Sequence, residues 1–521
     1  MFNETKGKWI SDLGNGMYKN PILFSDYSDP DVIRVGDDFF MVASSFTYFP
    51  GLPVLHSKDL VNWQIISYAV NKLPFECYDV PQHGKGVWAP AIRYHNGMFY
   101  VYFATPDEGI FMSKTDNPFG EWGTVIQVKE AKGWIDPCPF WDDDGQAYLV
   151  RGVARSRCGL KSMLFMHKMS PDGTVLLDEG IRVFDGRINH PTIEGPKMYK
   201  RNGYYYILAP AGGVRTGWQM AARSKNIYGP YEHKVLLHQG DTPVNGPHQG
   251  GLVDLENGES WFVHFQDLEA YGRVVHLQPA KWVDDWPQIG IDTNNDGIGE
   301  PVSEYIKPNT PQKSEICIPL EDDKFDGVRL GLQWQWQAHA NESFYEISNR
   351  RLRLFALPFK SDLNLLSDAP NVLTQLVHSP NIEVTTRINF GINNGDCCGI
   401  LITGGNYYGY KIEVLNGRYF IKVVQYEYDS ATDINAPEEV LANVKVKIDL
   451  PSIWLKIKMS YPGTISFFYS YDGDNFAQLA TTCNYKVSRK SWVGARVGIF
   501  CVNTKGENTG GYADFKYIRI E

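Results

Sequence analysis

The chain has 521 residues, too many for one hydrophobic core, so two or three domains are expected. Aromatic residues make up 14% of it, and 49 glycines and 30 prolines suit many short strands joined by turns, not a helical bundle. A formal charge of −10 with no basic block argues against nucleic acid or an anionic membrane surface as partner, and no run of about 18 apolar residues is present to cross a bilayer.

Residues 1–20 read as a polar lead-in. MFNETKGKWISDLGNG lacks the basic-then-apolar layout of a secretory leader, and the eight cysteines form no CxxC or regular framework. Reduced thiols in a cytoplasmic protein are expected, unless a leader has been removed.

Between about 21 and 300 one phrase recurs five times. A polar or aromatic residue opens a short apolar strand, a tight turn follows, and an aromatic-rich strand returns. The copies are SDPDVIRVGDDFFMVASSF (28–46), WAPAIRYHNGMFYVYF (from Trp88), DPCPFWDDDGQAYLV (from Asp136), EGPKMYKRNGYYYIL (from Glu194) and HQGGLVDLENGESWFVHF (from His248). The opening residue precedes the turn by nine residues in four copies and by ten in the fifth. Hairpins on NG or DG turns at this period predict a five-bladed β-propeller. Equivalent positions of successive blades then ring the mouth of a central channel, which gathers Asp29, Trp88, Asp136, Glu194 and His248.

Prolines 301, 308, 311 and 319 break up the stretch that follows, and 301–318 is expected to be a linker. From 319 to 521 alternating runs such as NIEVTTRINF (381–390) and WLKIKMSY (454–461) predict a jelly-roll-like β-sandwich, an accessory domain that binds carbohydrate or braces the propeller. The chain is thus expected to be all-β.

Three carboxylates in one funnel suit glycoside hydrolysis, in which one carboxylic acid protonates the departing oxygen and a second carboxylate activates water or attacks the sugar. The acid must stay protonated near neutral pH, which burial or a neighbouring negative charge achieves. Asp29, Asp136 and Glu194 supply the pair and a third group to tune it. A separate candidate is the phrase DTNNDG, in which Asp292, Asn294, Asp296 and the turn residue Gly297 match the first half of a calcium loop. Its twelfth position is Ser303 instead of Glu.

The segments SDPDVIRVGDDFFMVASSFTYFPGLPVLHSKDLVNW, VWAPAIRYHNGMFYV, WIDPCPFWDDDGQAYLV and IEGPKMYKRNGYYYIL resemble the signature segments of glycoside hydrolase family 43. That family comprises five-bladed propeller enzymes, many of them β-xylosidases and α-L-arabinofuranosidases, some with a C-terminal β-sandwich. The resemblance implies Asp29 as general base, Glu194 as general acid and Asp136 as the residue that orients the acid and modulates its pKa. It implies inversion, for which the two carboxyls stand ~6.5–9.5 Å apart. It further implies Phe46 and Trp88 as aromatic walls of the sugar subsite and Arg273, in YGRVVHLQP, as a clamp on sugar hydroxyls. His248 resembles a channel histidine that in some members helps hold calcium through water, although HQGGLV replaces the usual shorter His-Gly-Asp phrase. The chemistry so implied needs no cofactor, with calcium confined to a structural role. The expected substrate is a xylo- or arabinoxylo-oligosaccharide, attacked from its end. Arabinanase or galactanase specificity and a non-catalytic carbohydrate-binding propeller are the alternatives.

Overall fold

The computed structural model describes residues 2, 7–312, 314–429, 434–446, 452–488 and 491–521. Residues 1 and 3–6 of the expected lead-in and 313 of the expected linker lie outside them. The architecture is all-β. Five four-stranded antiparallel sheets cover 31–70, 88–130, 134–185, 197–237 and 248–289, and each is one unbroken stretch of chain. They are blades I to V of a propeller. Among the described residues no helix is long and apolar enough to cross a membrane.

The near-continuous apolar runs of the middle strands follow from burial on both faces, because every blade packs against two neighbours. An apolar cluster fills each gap. Phe40, Val54, Phe99 and Phe111 lie between blades I and II, and Tyr102, Met112, Leu149 and Met169 between II and III. Val150, Met166, Ile207 and Met220 separate III from IV, and Leu208, Leu236, Phe262 and Trp286 separate IV from V. Met41, Trp63, Val263 and Leu277 close the ring between V and I. The lead-in strengthens that last seam: Tyr18 and Tyr27 join the cluster, and Leu23 bridges to Val275.

The stretch expected to be a linker is partly ordered as a strand. Glu304–Ile306 pairs antiparallel with Met17–Lys19, because the lead-in supplies a partner from the other end of the chain.

The C-terminal body is a sandwich of two sheets, each of eight strands. One is centred on Asp396–Gly404 and Arg496–Asn503, the other on Asn381–Gly391 and Tyr512–Ile520. Its core runs straight into the propeller, since Phe24, Tyr271 and Val274 belong to the same apolar cluster as Trp336, Ile400, Ile499 and Phe515. Phe49 and Trp336 exchange backbone hydrogen bonds across the boundary, the Tyr68 hydroxyl donates to the Leu332 carbonyl, and the Ala495 amide donates to the Ala270 carbonyl.

Candidate active site

Each inner strand of the propeller starts at one end of the axial channel, and the residues just before or at those starts meet there. Asp29 precedes the inner strand Asp31–Val35; Trp88 and His248 open theirs; Asp136 lies in Trp134–Trp141; Glu194 precedes Lys197–Arg201. The ring is staggered, however. The turn of blade I is Gly36–Asp37, since Val35 faces Asp38, whereas blades II and IV turn at Asn96–Gly97 and Asn202–Gly203. Counted from the turns, Asp29 is therefore equivalent to Ala89 and Gly195, not to Trp88 and Glu194. The backbone agrees in four of the blades: Asp29, Asp136, Gly195 and Gln249 have φ of 55°, 55°, 54° and 41°, whereas Ala89 of blade II is not left-handed. Trp88, Glu194 and His248 occupy the position before.

A left-handed conformation strains Asp29, Asp136 and also Phe46 (φ 53°), and strain of this kind collects at functional sites. It aims both Asp carboxyls inward. Asp29 is 6% exposed. Its Oδ2 accepts from the Ser44 hydroxyl at 2.7 Å and the Ser28 hydroxyl at 3.0 Å, while Oδ1 accepts from Arg273 Nη1 at 2.9 Å. The guanidinium lies over Phe265 and also donates to Ser28 Oγ.

Asp136 is 4% exposed and accepts the Gly195 N–H at 2.7 Å on Oδ2. Burial pushes its pKa up to about 8, and the negative charges of Glu194 and, less, Asp29 add to the rise against the Gly195 N–H. Glu194 is the most open of the three, its side chain 36% exposed, and His248 Nε2 lies 2.9 Å from its Oε1. The three acids thus gather at one mouth with different surroundings: Asp29 among donors, Asp136 buried beneath, Glu194 facing out.

Trp88 meets Phe46 edge to face, with centroids 6.5 Å apart. The sandwich adds a third ring, for Trp492 stands 5.0 Å from Trp88 at 85°. Its loop is pinned to the propeller where the Gly494 N–H donates to Asp26 Oδ2 and the Arg273 N–H donates to Asp26 Oδ1. A cleft of about 680 Å³ opens beside these groups between the two bodies, lined among others by Val214, Arg215, Arg273, Lys486 and Trp492.

Sequence reasoning missed several residues here. Ser44 carries no motif of its own. Gln249 packs on Gly195, and its Nε2, with Trp88 Nε1 and His248 Nδ1, is buried without a protein partner among the described residues. Such orphan polar atoms suit a hydroxyl-rich ligand. Lys197, fully buried, reaches from blade IV to the Pro90 carbonyl of blade II at 3.1 Å and holds a positive charge near Asp136. The EGP phrase contains its neighbour, but nothing in the spacing marks the lysine.

The calcium candidates lie in two different settings. His248 turns Nε2 onto Glu194. Asp292, Asn294 and Asp296 stand far along the chain on an exposed turn, where their oxygens accept the N–H groups of Asp296, Gly297 and Ile298. Among the described residues no three His, Cys, Asp or Glu side chains come together as metal ligands.

Comparison with known proteins accounts for both bodies. Residues 18–287 match the model of glycosyl hydrolases family 43, and residues 322–521 match the β-xylosidase C-terminal concanavalin A-like domain. A candidate β-xylosidase from Xylanibacter ruminicola is 41% identical over 96% of this chain and 89% of its own length. A non-reducing end α-L-arabinofuranosidase from Bacteroides ovatus is 30% identical over 83% of each chain. The crystal structure of a family 43 protein from Bacillus licheniformis superposes with a TM-score of 0.80 at 28% identity, covering 97% of this chain and 99% of that one. With a five-bladed propeller, a concanavalin A-like partner and these relatives, the chain belongs to glycosyl hydrolase family 43 and is a glycoside hydrolase.

Proposed function

We propose that this hydrolase releases terminal xylose, arabinose or both from xylan- or arabinoxylan-derived oligosaccharides, with inversion at the anomeric carbon. The observation that carries the reading is the gathering of three carboxyls from three blades, each with a different environment, beside an aromatic wall and an arginine. The terminal sugar lies against Trp88 and Phe46, with Arg273 and the orphan N–H groups as donors to its hydroxyls.

Asp29 takes a proton from a water, and that water attacks the anomeric carbon. The bond to the leaving oxygen breaks as Glu194 delivers its proton there. Asp29 ends protonated and Glu194 ionised, and solvent exchanges both back. Asp136 is placed below Glu194 so that two carboxyls cannot both carry charge cheaply, which keeps one proton available in the mouth. The Trp492 loop closes the cleft on the sandwich side, which supports removal of end residues over cleavage within a chain. The relatives named above include both sugar specificities, so the substrate is proposed as either or both.

The test is hydrolysis of an aryl β-xyloside and an aryl α-arabinofuranoside, followed by NMR. The first sugar seen should have the opposite anomeric configuration. Asp29→Ala should nearly abolish turnover of every substrate. Glu194→Ala should slow poor leaving groups by about 10²–10⁴-fold and activated aryl groups far less. Equal losses on both would remove Glu194 as the acid, and retained configuration would overturn the mechanism.

A further inference from the structure

One outer face of the sandwich has no part in the chemistry above. It belongs to the sheet in which Leu352–Phe355, Tyr512–Ile520, Asn381–Gly391 and Ser452–Ser460 lie side by side. Val384, Ile388, Ile457 and Phe515 point into the core, so the alternate residues face out. These outward positions are basic: Arg353, Arg519, Arg387 and Lys456 stand on four neighbouring strands, with Lys458 beside the last.

Four of the cations stand over aromatic rings. Arg353 lies 3.8 Å from the Tyr512 centroid, Lys456 4.3 Å from Phe476, Arg387 4.7 Å from Trp454 and Arg519 5.2 Å from Tyr517. Two carboxylates on the face are each shared by two cations, Asp514 by Arg351 and Arg353, and Glu383 by Lys456 and Lys458. The Glu383 cluster therefore keeps one surplus positive charge, whereas Glu346, opposite Arg353 on the edge strand, balances the Asp514 cluster. Arg387 and Arg519 make no ion pair with any described carboxylate and add two more. In a chain of net charge −10 this is a local reversal of sign.

We infer that this face docks an anionic glycan, a xylan bearing uronic-acid side groups, and tethers the enzyme to its polysaccharide; the inference rests on the xylan reading above. Neighbouring strands are ~4.8 Å apart, so Arg519, Arg387 and the Lys456–Lys458 pair form three single-charge sites across ~10 Å. Such sites match carboxylates set at intervals along a hydroxyl-rich chain. A phosphodiester backbone instead needs a dense basic run. Guanidinium forks bind carboxylates in pairs of hydrogen bonds, and rings beneath already restrict them, so little freedom is lost on binding.

The experiment is affinity electrophoresis of the full chain through glucuronoxylan, neutral arabinoxylan and duplex DNA, with sedimentation of the protein alone. Glucuronoxylan should retard the chain at low salt, and the effect should vanish near ~1 M salt, where the screening length is about 3 Å. Arg519→Gln, at an exposed position, and Arg387→Gln should each weaken retention about ten-fold. Both should hydrolyse aryl glycosides as the parent does. Equal retention by arabinoxylan or DNA, or retention unchanged in both variants, overturns the proposal. So does a dimer that the variants dissolve, which would make the face a contact between copies. Retention by glucuronoxylan without hydrolysis of any xyloside or arabinoside would uphold the docking face and remove the catalytic reading.

Discussion

Asp136 is the residue on which the electrostatics of the mouth converge. A carboxyl raised to about 8 keeps its proton in the folded chain where the unfolded chain has released it. Its stabilising contribution is complete below about pH 4 and is lost as pH rises toward 8. Asp136→Asn removes that dependence, so the variant should gain thermal stability relative to the parent as pH goes from 4 to 8. Calorimetry at both ends of the range checks this; a constant difference in Tm would mean that Asp136 ionises freely in the folded protein. The same variant should shift the alkaline limb of the pH–rate profile. Because carboxyl side chains carry both proton transfers above, treatment with EDTA should leave kcat unchanged, and a loss restored by calcium would place an ion at the channel histidine or in the 292–296 turn. The acids were legible in the sequence because each begins a copy of the repeat. Their stagger was not: nine residues on from Asp29 is Asp38, which already opens the second strand, whereas the turn starts at Gly36 with φ 61°. Ser44 and Lys197 were illegible because their importance comes from partners on other segments.

At the scale of elements, the NG pairs 96–97 and 202–203 located the hairpins of blades II and IV because a two-residue turn with positive φ needs such residues. Blade III was harder to read, since five residues separate the paired Trp141 and Ala147. The loop carrying Trp492 had no signature at all. Its value comes from distance in space, 5.0 Å from Trp88 though 404 residues away in the chain (492 − 88). Trp492 is 39% exposed, so Trp492→Ala should fold normally. It removes an edge-to-face pair worth about 0.5–1.5 kcal/mol, which corresponds to a loss of roughly two- to ten-fold in kcat/KM on oligosaccharides. Parallel measurement of Tm separates this from unfolding; an unchanged kcat/KM would show that the third ring does not touch substrate.

In the whole molecule, the propeller and sandwich are two shapes with one apolar interior. The sequence distinguishes them by their different repeats, but composition says nothing about how two bodies pack. The predicted consequence is that a chain ending near 320 loses both the Trp492 wall and the cover over Phe24, Tyr271 and Val274. It should be aggregation-prone and inactive even on activated aryl substrates, as light scattering and a rate assay would show. A soluble, active truncation would mean that the propeller stands by itself. The continuous interior also bears on how the protein melts: heat should dismantle both bodies in a single cooperative event, one calorimetric peak where two independent modules would give two. Grafting a foreign sandwich onto this propeller would accordingly be a problem of refilling the shared interior before it was one of linker length.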